Sequence, residues 1–273
     1  ALFRLLPAGG EVVGGSIEFD GQDLMGLSPQ EMRQIRGRDM AMILQDPMAS
    51  LNPLFSIFDQ VAEPAYYHQQ LRRSRLKERV RQLLASVRIA SPEVRMREYP
   101  HQMSGGMRQR IVGAMAMAGG PKLIVADEPT TNLDVTIQLQ YLNLLKEIQR
   151  EAGVALIFVT HNLGIVAKMC DKVAVMYAGK IVEQGSVREI YTNPKHPYTE
   201  ALLNSIPKIG DKESLYVIPG QPPDLAEERI GCSFQPRCPY AVEKCALETP
   251  EEVVLKNGRV AQCWLPLMET QNA

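Results

Sequence analysis

Two adjacent carboxylates, Asp127 and Glu128, end the apolar run Leu123-Ile-Val-Ala. If that run is a buried parallel strand, both acids stand at its carboxyl edge, where α/β sheets bind ligands. Asp127 can then hold Mg²⁺, directly or through water. Glu128 can orient and deprotonate a water for in-line attack on a γ-phosphate. Taken alone, the segment fits a strand that ends in a solvated acidic turn equally well.

Three further segments carry groups that could serve the same reaction. Met103-Ser104-Gly105-Gly106-Met107 opens a stretch rich in Ala and Met. A Ser N-cap, two glycines and a helix start make an anion site, because free backbone N–H groups and the positive dipole end point outward and glycine lets a phosphate come close. A plain Ser-Gly-Gly turn capping a core helix is the bland reading. Gln45, in Leu44-Gln45-Asp46-Pro47, leaves a strand, and its amide could touch both a metal and an attacking water. A lone Gln in that place is usually only a surface residue. His161, in Thr160-His161-Asn162, follows the run Val154 to Val159 and could hydrogen-bond a γ-phosphate. The alternative is a helix-entry His with no part in chemistry.

Bringing these segments together takes a sheet. Lys122 to Asp127 and Val154 to Thr160 are almost wholly apolar and are flanked by helical stretches, which predicts parallel strands covered on both faces. Met40 to Gln45 is a third short strand. Gly14 to Leu24 alternates apolar and polar residues and then turns, predicting an antiparallel hairpin. Asp171 to Tyr177 and Lys180 to Gly185 predict a second, with Ala178-Gly179 in the turn. Ser28-Pro29 followed by Glu31 reads as a capped helix start. Helical patterning runs from Ile57 to about Ile89, charged between Arg72 and Arg81, and again from Met107 to Ala118. Residues 1–7 read as the end of a helix whose beginning is missing. After Pro207 prolines cluster, periodicity fades and cysteines begin, so a boundary falls there.

Composition narrows the class. Hydrophobic residues make up 45% and charged residues 22% of 273, with a formal net charge of −1. There is no acidic tail or basic block, so bulk charge gives no reason to expect nucleic acid as a partner. No apolar run approaches the roughly 20 residues that span a bilayer. The N-terminal segment is too short for a signal peptide. Any membrane role must therefore come through partner proteins.

The order and spacing of the segments resemble the ABC ATPase family over nearly the whole chain. Gln45 resembles its Q-loop, Ser104-Gly105-Gly106 its signature, Asp127 and Glu128 its Walker B, Asn132-Leu133-Asp134 its D-loop and His161 its switch His. The wording Gln45-Asp-Pro-Met-Ala-Ser-Leu-Asn-Pro, Tyr99-Pro-His-Gln-Met-Ser and His196-Pro-Tyr-Thr is similar to the dipeptide/oligopeptide importer branch, which includes nickel and glutathione importers. Two departures are Met107, where many ABC proteins have Gln, and Asn132, where a small residue is usual.

The resemblance implies an α/β fold: an ABC-type P-loop NTPase core, mostly parallel with antiparallel hairpins, with an inserted helical subdomain and a small Cys-containing C-terminal extension. The expected divisions are core at 1–56, helical subdomain at 57–103, core at 104–206 and extension at 207–273. It also implies ATP and Mg²⁺. Glu128, His161 and Gln45 would act in hydrolysis, while Asp127, Ser104, Gly105, Gly106 and Asp134 would bind the nucleotide and metal. Implied partners are a second ABC ATPase subunit (the same or different), two membrane permeases whose coupling helices dock near Gln45 to Glu63, and indirectly a periplasmic or extracellular substrate-binding protein. The location would be peripheral, on the cytoplasmic face of the cell membrane.

One expected part is missing. No Gly-x-x-x-x-Gly-Lys-Ser/Thr pattern occurs, and the single Gly-Lys pair is Gly179-Lys180. In the family the phosphate loop comes just before a stretch like residues 1–7. Such a chain could be part of a full ATPase, or a non-hydrolytic partner that lends its signature to another ABC ATPase.

Four of the five cysteines, Cys232, Cys238, Cys245 and Cys263, fall in the Pro-rich tail. Too few apolar residues lie nearby to fix such a segment by burial, so a cross-link is plausible. Zinc generally shows tighter Cys pairs, and four thiolates can also hold an iron–sulfur cluster. Spacing does not choose among iron, zinc and free thiols. The resemblance favours a structural [4Fe–4S] cluster, which some peptide importers carry. Cys170 reads as a small buried apolar residue.

Overall fold

β-Branched and apolar runs become strands, and longer runs with an apolar face become helices, in the computed structural model of this chain. It describes residues 1–131, 133–207, 216–226 and 230–265. Two units result, Ala1–Val159 and Thr160–Ala273.

The first unit opens with a turn. Arg4 N–H donates to Ala1 O at 2.7 Å, and Arg4 has φ +50°. Instead of the expected helical segment there is this one turn, consistent with Pro7 disfavouring the α conformation at Leu6. Strands β1 (Glu18–Phe19) and β2 (Gln22–Asp23) pair antiparallel across Asp20 and Gly21. Those two residues have φ +53° and +77°, as a tight hairpin turn requires. Helix α1 (Pro29–Ile35) starts at a capping box between Ser28 and Glu31.

Strand β3 (Met40–Ile43) and the short helix α2 (Pro47–Ser50) lead into a helical layer. It holds α3 (Ile57–His68), α4 (Arg73–Ser86) and α5 (Pro92–Arg95) and ends at α6 (Gly105–Met117). Ile57, Val61 and Ala65 of α3, Leu76, Val80, Leu83 and Leu84 of α4, and Ile111 and Ala114 of α6 are buried there. The unit closes with β4 (Leu123–Asp127), α7 (Val135–Ala152) and β5 (Ala155–Val159).

The strands form a parallel sheet in the order β3-β4-β5. The central strand β4 is buried from Leu123 to Ala126, as its unbroken apolar run requires. Register sets Ile43 against Ala126 and Asp127 against Val159, so the carboxyl ends of all three strands share one edge. Phe3, Leu24, Met32, Ile35, Met40, Leu123 and Val125 form the core beside the sheet. Gly119 is irreplaceable there, because a Cβ would lie 1.7 Å from Gly37 O.

The second unit contains α8 (Leu163–Met169), the hairpin β6 (Lys172–Tyr177) and β7 (Lys180–Ser186), α9 (Val187–Thr192) and α10 (Pro197–Asn204). It also contains α11 (Glu243–Leu247), β8 (Val253–Val254) and β9 (Val260–Ala261). The sheet order is β6-β7-β9-β8, all antiparallel. The tail after Pro207 therefore completes the sheet of the 172–186 hairpin. Its two-residue strands are too short to show a period in the sequence.

A buried polar cluster stitches the tail to that hairpin. Glu183 is 1% exposed; its carboxylate pairs with Arg259 and accepts from the N–H groups of Lys195 and His196. His196 is 2% exposed, caps α10 by accepting from Tyr198 N–H, and has its pKa lowered by burial to about 4. The unfolded chain thus binds one more proton than the folded one between that value and the ordinary imidazole pKa of about 6.5. His196 should remove up to about 3 kcal/mol of stability as pH falls through that window. His196→Asn keeps an acceptor for Tyr198 and should flatten that part of the curve in urea unfolding measured between pH 7 and pH 4.

Candidate functional site

The carboxyl edge of the parallel sheet collects three of the expected residues. Asp127 is the last residue of β4, and Glu128 follows it. Gln45 lies two residues past β3, and its Nε2 donates to Glu128 Oε2 at 2.9 Å. Thr131 Oγ1 donates to the same oxygen at 3.0 Å. Both acids are half-buried. Glu128 has φ +42°, a left-handed conformation that costs a non-glycine residue about 1–3 kcal/mol and persists only where its surroundings enforce it.

Those surroundings are specific. Glu128 N–H donates to Val159 O of β5 at 2.9 Å, and Thr131 N–H to Glu128 O at 3.1 Å. Buried Thr130 accepts from Gln138 Nε2 of α7 at 2.9 Å. Buried Gln109 of α6 donates from Nε2 to Pro129 O at 2.5 Å. A sharp turn out of a buried strand is thereby held from its flanks by α6, α7 and β5.

The Ser-Gly-Gly segment forms a true helix start. Ser104 is exposed and caps α6, its Oγ accepting from Met107 N–H at 3.3 Å. A Cβ at Gly105 would meet nothing within 4 Å, which leaves room for a ligand to approach. A Cβ at Gly106 would lie 3.0 Å from Ile137 Cγ2, so this glycine serves the packing of α6 on α7. Asp134 caps α7 by accepting from Thr136 and Ile137 N–H, each at 3.0 Å. That capping is the role the geometry gives it. Asn132 lies outside the described residues.

His161 belongs to the second unit and is exposed, beside Asn162, which caps α8. The four tail cysteines belong to that unit too. All four line one cavity of about 400 Å³, part of it open to solvent, together with His196, Phe234 and Trp264. The segment is fixed at Gly231 (φ +82°), where a Cβ would lie 2.5 Å from Cys245 O, and by Cys232 N–H donating to Cys245 O at 2.8 Å. Burial raises the pKa of Cys232 and Cys238, and that of Cys263 to about 11. Among the described residues no group of three or more His, Cys, Asp or Glu is arranged to hold a metal ion, so the expected cluster has no preformed ligand set. Cys170, expected to be buried, is half-buried.

Residues 1–131 match the ABC transporter family, and residues 182–245 match the C-terminal region of oligopeptide/dipeptide transporters. The probable peptide ABC transporter ATP-binding protein y4tR of Sinorhizobium fredii is 47% identical over 97% of this chain and 80% of its own length. The dipeptide transport ATP-binding protein DppD of Escherichia coli is 45% identical over 98% of this chain and 82% of its own. Among solved structures, cbiO1 of Clostridium perfringens, part of the transporter complex cbiONQ, superposes with TM-score 0.60 at 27% identity, over 70% of this chain and 72% of that one.

The chain belongs to the ABC transporter ATP-binding family, in its oligopeptide/dipeptide branch. The ABC ATPase fold expected from its motifs is the fold observed, and the family hydrolyses ATP with Mg²⁺. Within this ABC chain, sequence reasoning missed the residues that hold the Glu128 turn: Gln109, Thr131 and Gln138.

The thiol cavity of this ABC protein makes a measurable prediction. A pKa of about 11 leaves Cys263 roughly 100-fold less thiolate near neutrality than an ordinary thiol of pKa 9. In metal-free protein, iodoacetamide should label Cys263 at least tenfold more slowly than a free cysteine at pH 7.5, with a rate still climbing at pH 10. Peptide mass spectrometry reads this directly.

Proposed function

We propose that this chain is the ATP-hydrolysing subunit of an importer for peptides, peripheral on the cytoplasmic face of the cell membrane. The observation that carries this reading is the Gln45–Glu128 hydrogen bond at the carboxyl edge of the sheet, beside Asp127. Asp127 would hold Mg²⁺ and Glu128 would orient and deprotonate the attacking water. Gln45 would sense metal and water together, and His161 would bond the γ-phosphate. Ser104, Gly105 and Gly106 would face the nucleotide of a second ABC ATPase subunit, across a head-to-tail dimer. Two permeases would dock near Gln45 to Glu63, where Leu54 is 82% and Phe55 53% exposed. Among the described residues no helix is long and apolar enough to cross a membrane, which agrees with attachment through such partners.

The relatives' names support peptides as cargo. In the assembled transporter, Glu128→Gln should lower peptide-stimulated ATP hydrolysis at least 100-fold while leaving assembly intact; unchanged hydrolysis would refute the assignment. A second reading is a non-hydrolytic subunit that lends its signature to another ATPase. Tight Mg-ATP binding by this chain alone would exclude that version.

The tail cysteines are proposed as ligands of a structural [4Fe–4S] cluster. Four soft donors lining one cavity fit it in chemistry, although they must close up to bind. Raised thiol pKa values mean that loading releases protons and weakens as pH falls. Protein purified without oxygen should carry about four irons and a broad visible absorbance that Cys238→Ser abolishes. Stoichiometric zinc, or no metal, would overturn the iron assignment.

A further inference from the structure

We propose that Gln109 is a positioning residue for Glu128: its buried amide holds the Pro129 carbonyl and thereby ties the signature helix to the catalytic turn of the same subunit. This rests on the assignment of Glu128 as the residue that orients water.

The argument starts from burial. The interior-facing residues of α6 are Ile111, Val112, Gly113, Ala114 and Ala116, with one polar exception, Gln109, 2% exposed. An amide is not placed in such a row without a partner, because an unpaired buried polar group is costly. Its Nε2 donates at 2.5 Å to Pro129 O, the carbonyl of the residue that follows Glu128. The amide also lies close to the buried hydroxyl of Tyr141, which has no hydrogen-bond partner of good geometry, so an aromatic wall confines it.

Glu128 sits at φ +42°, and a left-handed non-glycine residue holds only while its neighbours are fixed on both sides. On the chain's amino side β4 fixes it; on the carboxyl side Pro129 cannot donate a hydrogen bond, so its carbonyl is its one main-chain handle. Gln109 grips that handle. The same helix begins five residues earlier at Ser104, the cap of the exposed Gly-Gly anion site. A tilt of α6 on closing over the partner's nucleotide would pull on Pro129 and so shift the carboxylate that serves this subunit's own. The cap and the second turn of one helix would thus link two different nucleotides.

The test uses the assembled transporter with its partner ATPase and permeases. Gln109→Met keeps the volume and removes the donor. It should lower kcat for ATP hydrolysis tenfold or more, with KM for ATP within twofold and assembly unchanged. Gln109→Glu can donate to Pro129 O only when protonated. Its activity relative to Gln109→Met should therefore rise as pH falls from 8 to 6, a signature that simple loss of packing would not give. If Gln109→Met does not assemble, the same pH comparison is made for Gln109→Glu against the unsubstituted protein. A Gln109→Met kcat within twofold of the unsubstituted value, or a pH-independent ratio, overturns the proposal. Full activity of Glu128→Gln would instead overturn the assignment of Glu128 on which it rests.

Discussion

A buried parallel strand cannot simply stop; its backbone must turn away from the sheet without leaving polar groups unpaired. At the end of β4 that turn falls on Glu128, in a left-handed conformation that a glutamate does not choose alone. The polar groups at this edge of the sheet are arranged around this constraint. β5 takes the Glu128 N–H, and α6 and α7 hold the next two residues through Gln109 and Gln138. Gln45 reaches across from β3 to the carboxylate. The strain is local, and the supports that balance it come from elements far apart in sequence. A small displacement of any of them is therefore felt at the carboxylate.

Two residues expected to contact the nucleotide already act as helix caps, and the two cases differ. Ser104 caps α6 through one lone pair of its hydroxyl, taking the N–H of the third helical residue. The hydroxyl proton remains a donor, and the first two helical N–H groups, those of Gly105 and Gly106, have no intrahelical partner by the geometry of a helix start. Capping and anion binding are compatible there. Asp134 instead commits one carboxylate oxygen to two N–H groups at once, and a negative charge at a helix start is stabilised where it stands. The anion site and the α7 cap use the same physics: each helix start takes a negative group, an external one at α6 and the chain's own Asp134 at α7.

The parallel sheet was readable because β3, β4 and β5 are apolar runs bounded by helical patterns; β3 and β4 are buried as such runs require, whereas β5, expected to be covered on both faces, alternates between exposed and half-buried residues. Gln45, Asp127 and Glu128 were readable because a parallel sheet puts the ends of its strands on one edge. Gln109 was not, since a single Gln in a helix carries no periodic signal and its partner is a backbone carbonyl twenty residues away. The tail misled in another way. Val253-Val254 and Val260-Ala261 are too short to register as strands, so the division expected after Pro207 separates residues that share a sheet with Lys172–Ser186. Pairings across that distance are fixed by buried groups such as Glu183 and Arg259, whose charges alone read as surface.

The second unit shows why such a tail would recruit both a buried ion pair and cysteines. Around the tail the core cluster among the described residues is Val175, Tyr177, Val182, Ile190 and Phe234, with the half-buried thiols of Cys232 and Cys238 packed against it. Aromatic rings of Tyr177, Tyr198 and Phe234 meet edge-on or tilted and supply much of what area it has. Glu183 and Arg259 fix which strand lies beside which, since slipping the register would leave a charge buried alone. A protonated thiol behaves as a small soft hydrophobe. Cys232 and Cys238 can therefore serve this core with or without a metal, and the raised thiol pKa values follow from that burial. Ligation, if it occurs as proposed, would exchange part of this apolar packing for metal–sulfur bonds, and the same four side chains would then couple the stability of the tail to metal supply and to pH.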